Sequence, residues 1–206
     1  MSYPKKVYFK NRVFAVDEHV YEPAEDTFLI AENLNVNNED TVLDVGTGCG
    51  ILAVLATEKA KKVVAVDINP HALECAKGNA ETNGVTEMVE FRLGDLFQPI
   101  KHGERFSLIL FNSPYLPSEP GEEESWIGKA WAGGPDGRKV IDRFIEEAPR
   151  FLAEGGKVLL IQSSLSDVDQ TIQMFSDVKL KARVVAQVKV AFETIVLVEA
   201  KHEIIG

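Results

Sequence analysis

The sequence predicts an α/β protein with a doubly wound, Rossmann-like sheet of seven strands that is mostly parallel and ends in an antiparallel hairpin. The first observation is that short apolar runs of strand length alternate with helical stretches through most of the chain. The second lies near the C-terminus, where two β-rich runs, residues 182–190 and 193–200, are separated only by Ala191 and Phe192. So short a link allows an antiparallel hairpin but no crossover. An all-parallel dinucleotide-binding sheet would need another helix there.

The other elements can be assigned in chain order from their apolar patterns and boundary residues. Five further strands are expected at residues 41–45, 63–66, 88–93, 106–111 and 157–162. One helix is expected to begin near residue 25. Four others are expected at residues 51–59, 71–82, about 136–153 and 167–175. Asn69-Pro70 is a typical start for the helix at residues 71–82. Gly155-Gly156 is a typical end for the helix that begins near residue 136.

Length and composition favour one domain and exclude several classes of protein. A chain of 206 residues, 45% hydrophobic and 26% charged, can bury the core of a single α/β domain. It has no apolar run of about 18 residues and no apolar stretch near the N-terminus, so we expect a soluble protein of the cytoplasm with no membrane partner. Cys49 and Cys75 belong to no CxxC pair, and the four His are scattered singly. We therefore expect neither a disulfide nor a metal site.

A glycine-rich loop follows the first strand of the sheet. Gly46, Gly48 and Gly50 are spaced G-x-G-x-G, whereas the dinucleotide fingerprint is G-x-G-x-x-G, and Ile51 occupies the place of its third glycine. Asp44 would repel a pyrophosphate but would suit a cationic ligand. S-adenosylmethionine carries an ammonium and a sulfonium group and no phosphate. The loop therefore predicts a site for S-adenosylmethionine, with a tight turn that binds no ligand as the alternative.

Two further acidic residues follow the next strands. Asp67 lies 23 residues after Asp44, close to the roughly 20-residue offset at which an acid accepts hydrogen bonds from ribose hydroxyls. Asp95 follows the next strand, where it can accept a hydrogen bond from the adenine amino group while Leu96 packs against the ring. Each acid alone is also consistent with helix capping or solvation. Three acids at consecutive strand ends favour a cofactor site.

The sequence Asn112-Ser113-Pro114-Tyr115 lies where the buried strand at residues 106–111 ends, and ligands of open parallel sheets bind beyond such carboxyl ends. The Asn112 side-chain oxygen and the carbonyl of Ser113 can each accept one N–H of a planar amide or amine, while Tyr115 covers its flat face. An amide nitrogen is a weak nucleophile, so these two acceptors would turn its lone pair toward the sulfonium methyl. The four residues are the candidate catalytic group, and an ordinary turn is the alternative.

Five motifs together resemble the archaeal and eukaryotic branch of the HemK family. They occupy residues 20–29, 44–50, 67–70, 112–115 and 130–138. Members of that family have the class I methyltransferase fold and methylate the amide nitrogen of a glutamine in the Gly-Gly-Gln motif of peptide-chain release factors. The resemblance implies S-adenosylmethionine as cofactor and a release factor as substrate. It also suggests the partner used by eukaryotic relatives, a small zinc-binding activator protein.

The resemblance also assigns roles to individual residues. It implies cofactor contacts from Thr27, Asp44, Gly46, Asp67, Asp95 and Leu96, to which the loop adds Gly48 and Gly50. It implies amide binding by Asn112, which also borders the cofactor, with Pro114 and Tyr115 shaping the pocket. The family usually has Asn-Pro-Pro-Tyr, and here position 113 is Ser. Ser has the required backbone carbonyl but lacks the fixed φ of Pro, so we expect Asn112 to be held less tightly.

The chain is expected to be a single domain with an N-terminal extension. Residues 1–35 form the extension, which packs on the cofactor site, and residues 36–206 form the methyltransferase domain. The segment 113–135 carries four glutamates, Glu119 and residues 122–124, and is either a substrate-facing lid or a solvated acidic loop. The strand near residues 88–93 lies at a sheet edge in this fold, which suits pairing with an activator.

Two other functions remain open. The same pocket could methylate adenine N6 in nucleic acid or a protein lysine. A net charge of −10 and a pI near 4.9 argue against unaided nucleic-acid binding, in which phosphate contacts dominate. The other is a catalytically silent methyltransferase-fold subunit that binds a partner. A silent subunit would tend to have lost Asn112 or the cofactor acids, and all are present here.

Overall fold

A computed structural model describes residues 5–202 of the chain. Residues 1–4 of the predicted extension and residues 203–206 of the predicted methyltransferase domain lie outside the described residues. Its strands are β1 (Lys5–Phe9), β2 (Arg12–Val16), β3 (Thr41–Val45), β4 (Lys62–Asp67), β5 (Val89–Leu93), β6 (Phe106–Asn112), β7 (Leu152–Ser163), β8 (Leu180–Lys189) and β9 (Thr194–His202). Its α-helices are α1 (Glu25–Glu32), α2 (Ile51–Ala56), α3 (Pro70–Thr82), α4 (Trp126–Trp131), α5 (Lys139–Glu147) and α6 (Val168–Asp177).

Seven of these strands form one sheet in the order β5-β4-β3-β6-β7-β9-β8. The five strands from β5 to β7 are parallel, and β9 is antiparallel to both β7 and β8. The predicted seven-stranded sheet with its antiparallel hairpin is therefore confirmed. The strand predicted at the edge, now β5, is confirmed there too.

The central strands are buried on both faces, as expected for a parallel sheet covered by helices. In β4 every residue after Lys62 is buried, and in β6 the run from Leu108 to Phe111 is buried. Helix α5 covers one face with Ile141, Phe144 and Ile145. Residues three and four positions apart share one face of a helix, so α5 packs on the core through this single face.

Parallel strands have a functional consequence, because their carboxyl ends meet at one edge of the sheet. Strands β3, β4, β5 and β6 all end at this edge, and each is followed by residues that the sequence singled out. The register pairs Val45 with both Val66 and Phe111, and pairs Asp67 with Leu93. The glycine loop, Asp67, Asp95 and Asn112 are thereby brought side by side.

One predicted helix was too long. The stretch about 136–153 forms a helix only over Lys139–Glu147, followed by a 3-10 turn over Ala148–Arg150. Pro149 has no N–H to continue the helical ladder. Gly155 and Gly156 therefore do not end a helix; they lie inside β7, which begins at Leu152 rather than at the predicted residue 157. A Cβ on Gly156 would lie 3.0 Å from the Ser107 carbonyl oxygen, so close packing of β7 on β6 requires glycine there. The helix predicted at residues 51–59 likewise ends early, at Ala56.

The N-terminal segment forms a hairpin of β1 and β2 that is fastened to α3. Asn79 accepts a hydrogen bond from the Ala15 N–H at 2.7 Å and donates one to the Ala15 carbonyl at 2.8 Å, while Asn83 donates to the Val13 carbonyl at 2.9 Å. Helix α1 follows and packs against α2, β6, β7, β8 and β9. Among residues 5–202, no helix is long and apolar enough to cross a membrane.

Candidate active site

A cavity of about 280 Å³ opens at the carboxyl edge of the parallel strands. Residues from all four strand ends line it, together with residues of α1 and of the segment between β6 and α5. The sequence-predicted residues that line it are Thr27, Gly46, Gly48, Asp67, Asp95, Leu96, Asn112 and Pro114. Four predicted residues, Asp44, Gly50, Ser113 and Tyr115, lie behind this lining.

The glycine loop needs its glycines for conformation and close packing. Gly46, Gly48 and Gly50 have φ values of +65°, +56° and +83°, a left-handed region that disfavours residues with a side chain. Gly50 begins α2, and a Cβ there would lie 2.8 Å from the Cβ of Ala76 in α3. Gly50 thus lets two helices approach, whereas Gly46 and Gly48 face the cavity.

Asp44 supports this loop from below. Its Oδ2 accepts hydrogen bonds from the Thr47 hydroxyl at 2.6 Å and from the Ala53 N–H at 3.1 Å, while its Oδ1 is buried without a partner among the described residues. Burial raises the pKa of the Asp44 carboxyl to about 7. Asp44 therefore shapes the glycine loop and does not itself line the cavity.

Asp67 links the glycine loop to the start of α3. Its Oδ2 accepts from the Gly48 N–H and its Oδ1 from the Asn69 N–H, both at 2.9 Å. Burial raises the pKa of Asp67, although these backbone donors oppose the shift. A carboxylate held by two backbone N–H groups keeps a fixed orientation, and it still lines the cavity.

Asp95 and Leu96 form the wall beyond β5. Leu96 is buried and has a φ of +48°, so its backbone bends sharply to bring the side chain against the core. The Oδ2 of Asp95 accepts from the Arg143 guanidinium at 2.7 Å. Arg143 lines the cavity from α5 and was not predicted from the sequence as a site residue. No local motif could have identified it, because it lies 48 residues from Asp95.

The amide of Asn112 has a defined orientation. Its Nδ2 donates to the Asp26 carboxylate at 3.2 Å and to the Thr27 hydroxyl at 3.1 Å. Its Oδ1 is buried and has no hydrogen-bond partner among the described residues. Since both donors of the NH2 group are used, the amide cannot flip without losing them, and the oxygen remains free to accept.

Asp26 is the centre of this arrangement and was not among the predicted site residues. It is buried at 3% exposure and accepts from the Thr27 N–H at 2.6 Å, from the Thr27 hydroxyl at 3.1 Å and from the Tyr115 hydroxyl at 3.4 Å, besides Asn112. From the sequence alone, Asp26 is only an acid in the first turn of the helix expected near residue 25. Its position directly before Thr27 in the motif 20–29 was the available signal.

Ser113 and Tyr115 are both anchored. The Ser113 hydroxyl donates to the Ile161 carbonyl of β7 at 2.6 Å, so a side-chain hydrogen bond replaces the constraint that Pro would provide at this position. The expected loosening of Asn112 is thereby offset. Tyr115 is buried, and its pKa is raised by burial and by the negative charge of Asp26. It therefore remains a neutral hydroxyl that donates to Asp26.

The segment 116–135 folds back over the cavity. The Leu116 N–H donates to the Trp131 carbonyl at 3.0 Å and the Gly133 N–H donates to the Leu116 carbonyl at 2.8 Å, which closes the segment into a loop around α4. Glu123, Trp126 and Lys129 line the cavity from this loop. The Lys129 ammonium donates to the Glu123 carbonyl at 2.7 Å. The loop therefore forms one wall of the site.

A separate cluster has side chains that can bind metals. Ligand atoms of Asp17, His19 and His71 lie within 4.8 Å of one another, and the two imidazole rings stack at 4.5 Å. Asp17 already accepts from the His19 N–H at 2.8 Å and faces the His19 ring at 3.0 Å. Asp17 and His19 are accounted for by these hydrogen bonds, and none of the three residues lines the cavity.

Comparison with known proteins identifies the relatives of this chain. A family model described as a methyltransferase domain matches residues 36–203. A protein of Methanocaldococcus jannaschii, provisionally named a protein N5-glutamine methyltransferase, is 43% identical over 88% of this chain and 91% of its own length. Methyltransferase HEMK2 of Homo sapiens is 34% identical, covering 75% of this chain and 77% of that protein.

More distant matches agree with these. The release factor glutamine methyltransferase of Bacillus subtilis is 38% identical over 70% of this chain, which spans 55% of that longer enzyme. Among solved structures, the E. cuniculi Mtq2–Trm112 complex, responsible for methylation of the translation termination factor eRF1, superposes with a TM-score of 0.70 at 24% identity over 90% of this chain and 99% of that one. This similarity confirms the class I methyltransferase fold.

Proposed function

The chain belongs to the family of S-adenosylmethionine-dependent protein-glutamine N-methyltransferases, and from this premise we propose that its substrate is the Gln of a Gly-Gly-Gln motif in a peptide-chain release factor. Relatives named release factor glutamine methyltransferases support this substrate class. The observation that carries the proposal is the Asn112 Oδ1, a buried acceptor at the cavity without a partner among the described residues. A primary amide supplies the N–H groups that such an oxygen lacks.

S-adenosylmethionine is the cofactor, and the donors and acceptors around the cavity fit it. Asp67 is held by backbone N–H groups at the strand end where an acid can accept from ribose hydroxyls. Asp95 has one carboxylate oxygen outside its contact with Arg143, and this oxygen can accept from the adenine amino group. Gly46 and Gly48 allow the backbone to approach the cofactor, and Thr27 borders it from α1. When bound, the cofactor supplies an electrophilic methyl group.

Asn112 positions the target nitrogen. Its Oδ1 accepts one amide N–H. The backbone carbonyl of Ser113 accepts the other, while the Ser113 side chain is held behind the cavity lining by the Ile161 carbonyl. The two acceptors hold the amide so that the nitrogen lone pair faces the methyl group. Such positioning can supply up to roughly 7–11 kcal/mol of the barrier. As the nitrogen becomes positive, both hydrogen bonds strengthen, and the surplus proton then leaves to water.

Asp26 is a positioning residue for Asn112. By accepting from the Asn112 Nδ2 it fixes which end of the amide faces the cavity. Its buried negative charge also favours a nitrogen that becomes cationic during transfer. Tyr115 does not line the cavity. Its hydroxyl donates to the same carboxylate, so it acts on the site by holding Asp26 in position.

A partner at the β5 edge is part of the proposal. This strand has a neighbour on one side only in the described sheet, and apolar side chains surround it with high exposure: Leu93 at 58%, Ile68 at 45% and Met88 at 40%. Unpaired strand edges with apolar neighbours suit strand pairing with another chain. A small activator subunit of the kind seen in the Mtq2–Trm112 complex would cover this edge.

The remaining expectations concern organisation and location. The proposed division is an N-terminal extension, residues 1–35, that packs on the cofactor site, and a methyltransferase domain, residues 36–206. The family model that begins at residue 36 supports this boundary, as does the contribution of Thr27 to the cavity. A release factor as substrate implies action in the cytoplasm.

Two substitutions at Asn112 test the proposed function. Asn112→Ala should keep its affinity for S-adenosylhomocysteine, measured by calorimetry, yet lose about 10²–10³-fold in turnover, as when one preorganised polar contact to a transition state is removed. Asn112→Asp keeps an acceptor but loses the donors to Asp26 and places two carboxylates side by side, so it should also be impaired. Normal turnover in Asn112→Ala would mean that the target nitrogen binds elsewhere.

A further inference from the structure

The turn between β8 and β9 lies at the active-site edge of the sheet. Ile195 in β9 pairs with Ser163 at the end of β7, and Asn112 pairs with Ile161 of the same strand. The Thr194 N–H donates to the Ser164 hydroxyl at 3.0 Å, which ties the turn to the residues after β7. The turn at residues 190–193 therefore projects from the same edge of the sheet as residues 112–115, the candidate catalytic group.

Two side chains of this turn are in environments that their chemistry does not favour. Phe192 is 94% exposed, more than any other large apolar residue that the structure describes. Glu193, by contrast, has a polar atom that is buried: its Oε2 has no hydrogen-bond partner among the described residues. A buried carboxylate oxygen without a donor is costly. A bound ligand with N–H groups and a flat surface would relieve both.

The charge of Glu193 acts on the tyrosines beside the Asn112 pocket. The pKa values of Tyr21 and Tyr115 are raised mainly by burial, and the negative charges of Asp26 and Glu193 both add to the increase. Tyr21 lines the cavity. Helix α1, which carries Asp26, packs against both β8 and β9. Phe192 and Glu193 do not line the cavity itself, so the turn lies beside the slot in which the substrate amide would lie, at the same edge of the sheet.

We propose that Phe192 and Glu193 form a binding subsite for the main chain of the glycines that precede the methylated Gln. This subsite rests on the proposed function. The Glu193 Oε2 accepts a backbone N–H of the substrate, and the Phe192 ring covers the adjacent peptide plane. Glycine has no side chain, so its peptide plane can lie flat on an aromatic ring while its N–H reaches a recessed carboxylate. A residue with a side chain at this position would be held away from both.

Two variants with matched controls test the subsite in steady-state kinetics on a release factor. Glu193→Gln is compared with Glu146→Gln, an exposed acid on α5, and Phe192→Ala with Val185→Ala, an exposed apolar residue on β8. We expect the KM for the release factor to rise about tenfold or more in Glu193→Gln, which corresponds to the loss of one charge-assisted hydrogen bond, and severalfold in Phe192→Ala. The kcat and the affinity for S-adenosylhomocysteine should not change, and the Tm of Glu193→Gln should not fall, because the substitution removes a buried charge that has no hydrogen-bond donor.

A substrate change separates this role from a structural one. In a Gly-Gly-Gln peptide, methylation of the backbone nitrogen of the glycine before Gln removes the donor proposed to meet Glu193. The wild-type chain should lose affinity for that peptide, and Glu193→Gln should lose little more. Wild-type KM values in both turn variants, with active enzyme, would overturn the subsite alone. A wild-type chain that transfers no methyl group to any Gln substrate would overturn the proposed function and the subsite with it.

Discussion

Replacing Asp26 by Asn should convert the Asn112 pocket from an acceptor into a donor. Oδ1 of Asp26 accepts from the Thr27 N–H and hydroxyl, and Oδ2 accepts from Asn112 and Tyr115. In the Asp26→Asn variant the new amide would keep its oxygen toward Thr27, because the backbone N–H there can only donate. Its NH2 group would then face the Asn112 NH2 group at about 3.2 Å. Two donors cannot hydrogen-bond each other, so Asn112 flips and presents its NH2 group to the substrate.

The size of the effect follows from the group that is lost. A flipped Asn112 removes one preorganised acceptor from the transition state and adds a donor that opposes the amide N–H. We expect kcat to fall at least as far as in Asn112→Ala, by about 10²–10³-fold. The substitution lies behind the cavity lining, so the affinity for S-adenosylhomocysteine should be unchanged. The assay is single-turnover methyl transfer to a release factor, with calorimetry for the cofactor.

Glu25→Gln is the matched control for this substitution, since Glu25 is the neighbouring acid in the first turn of α1 but is exposed. It should behave like the wild-type chain. A thermal melt of each variant separates misfolding from misorientation. If Asp26→Asn folds, binds cofactor and methylates at the wild-type rate, the orientation of Asn112 does not depend on Asp26 and the reasoning is wrong.

Three further results are expected. Calorimetry should detect binding of S-adenosylmethionine but not NAD, and Asp67→Ala should weaken cofactor binding by about 1.5–3 kcal/mol through loss of charged hydrogen bonds; unchanged affinity would refute the ribose assignment. Neutralising Glu122 and Glu124, which do not line the cavity, should reduce the salt dependence of turnover on an intact basic release factor and leave turnover of a short peptide nearly unchanged. Burial raises the pKa of Asp44 from 3.8 to about 7, so the folded chain keeps a proton that the unfolded chain releases. The resulting stability is complete below pH about 4 and is lost as pH rises to about 7, and Asp44→Asn should flatten the Tm over that range.

The sheet and the strand-end residues could be predicted because the signals are local. Each buried strand is a short apolar run, and each run ends in a polar residue that parallel pairing carries to one edge. Asp67, Asp95 and Asn112 were found in this way and line one cavity. The antiparallel end of the sheet could also be predicted, since neither the predicted two-residue link nor the four-residue turn in the structure leaves room for a crossover.

What could not be predicted depends on contacts between distant residues. Asp26 meets Asn112 across 86 residues, and Ser113 meets the Ile161 carbonyl across 48. Neither contact leaves a periodic pattern in the sequence. The end of α5 differs from the prediction for another reason. Pro149 cannot continue a helical ladder, so the helix ends before it reaches the glycine pair near residue 155.

The most direct test of the account is the position of the methyl group on an intact release factor. The purified chain, with the proposed activator subunit supplied, is incubated with isotopically labelled S-adenosylmethionine and the factor, and the product is examined by tandem mass spectrometry. We expect a single label on the side-chain nitrogen of the Gly-Gly-Gln glutamine, and none when that residue is Ala. Label on a lysine of the factor, or on adenine when nucleic acid is offered, with none on the glutamine, would contradict it.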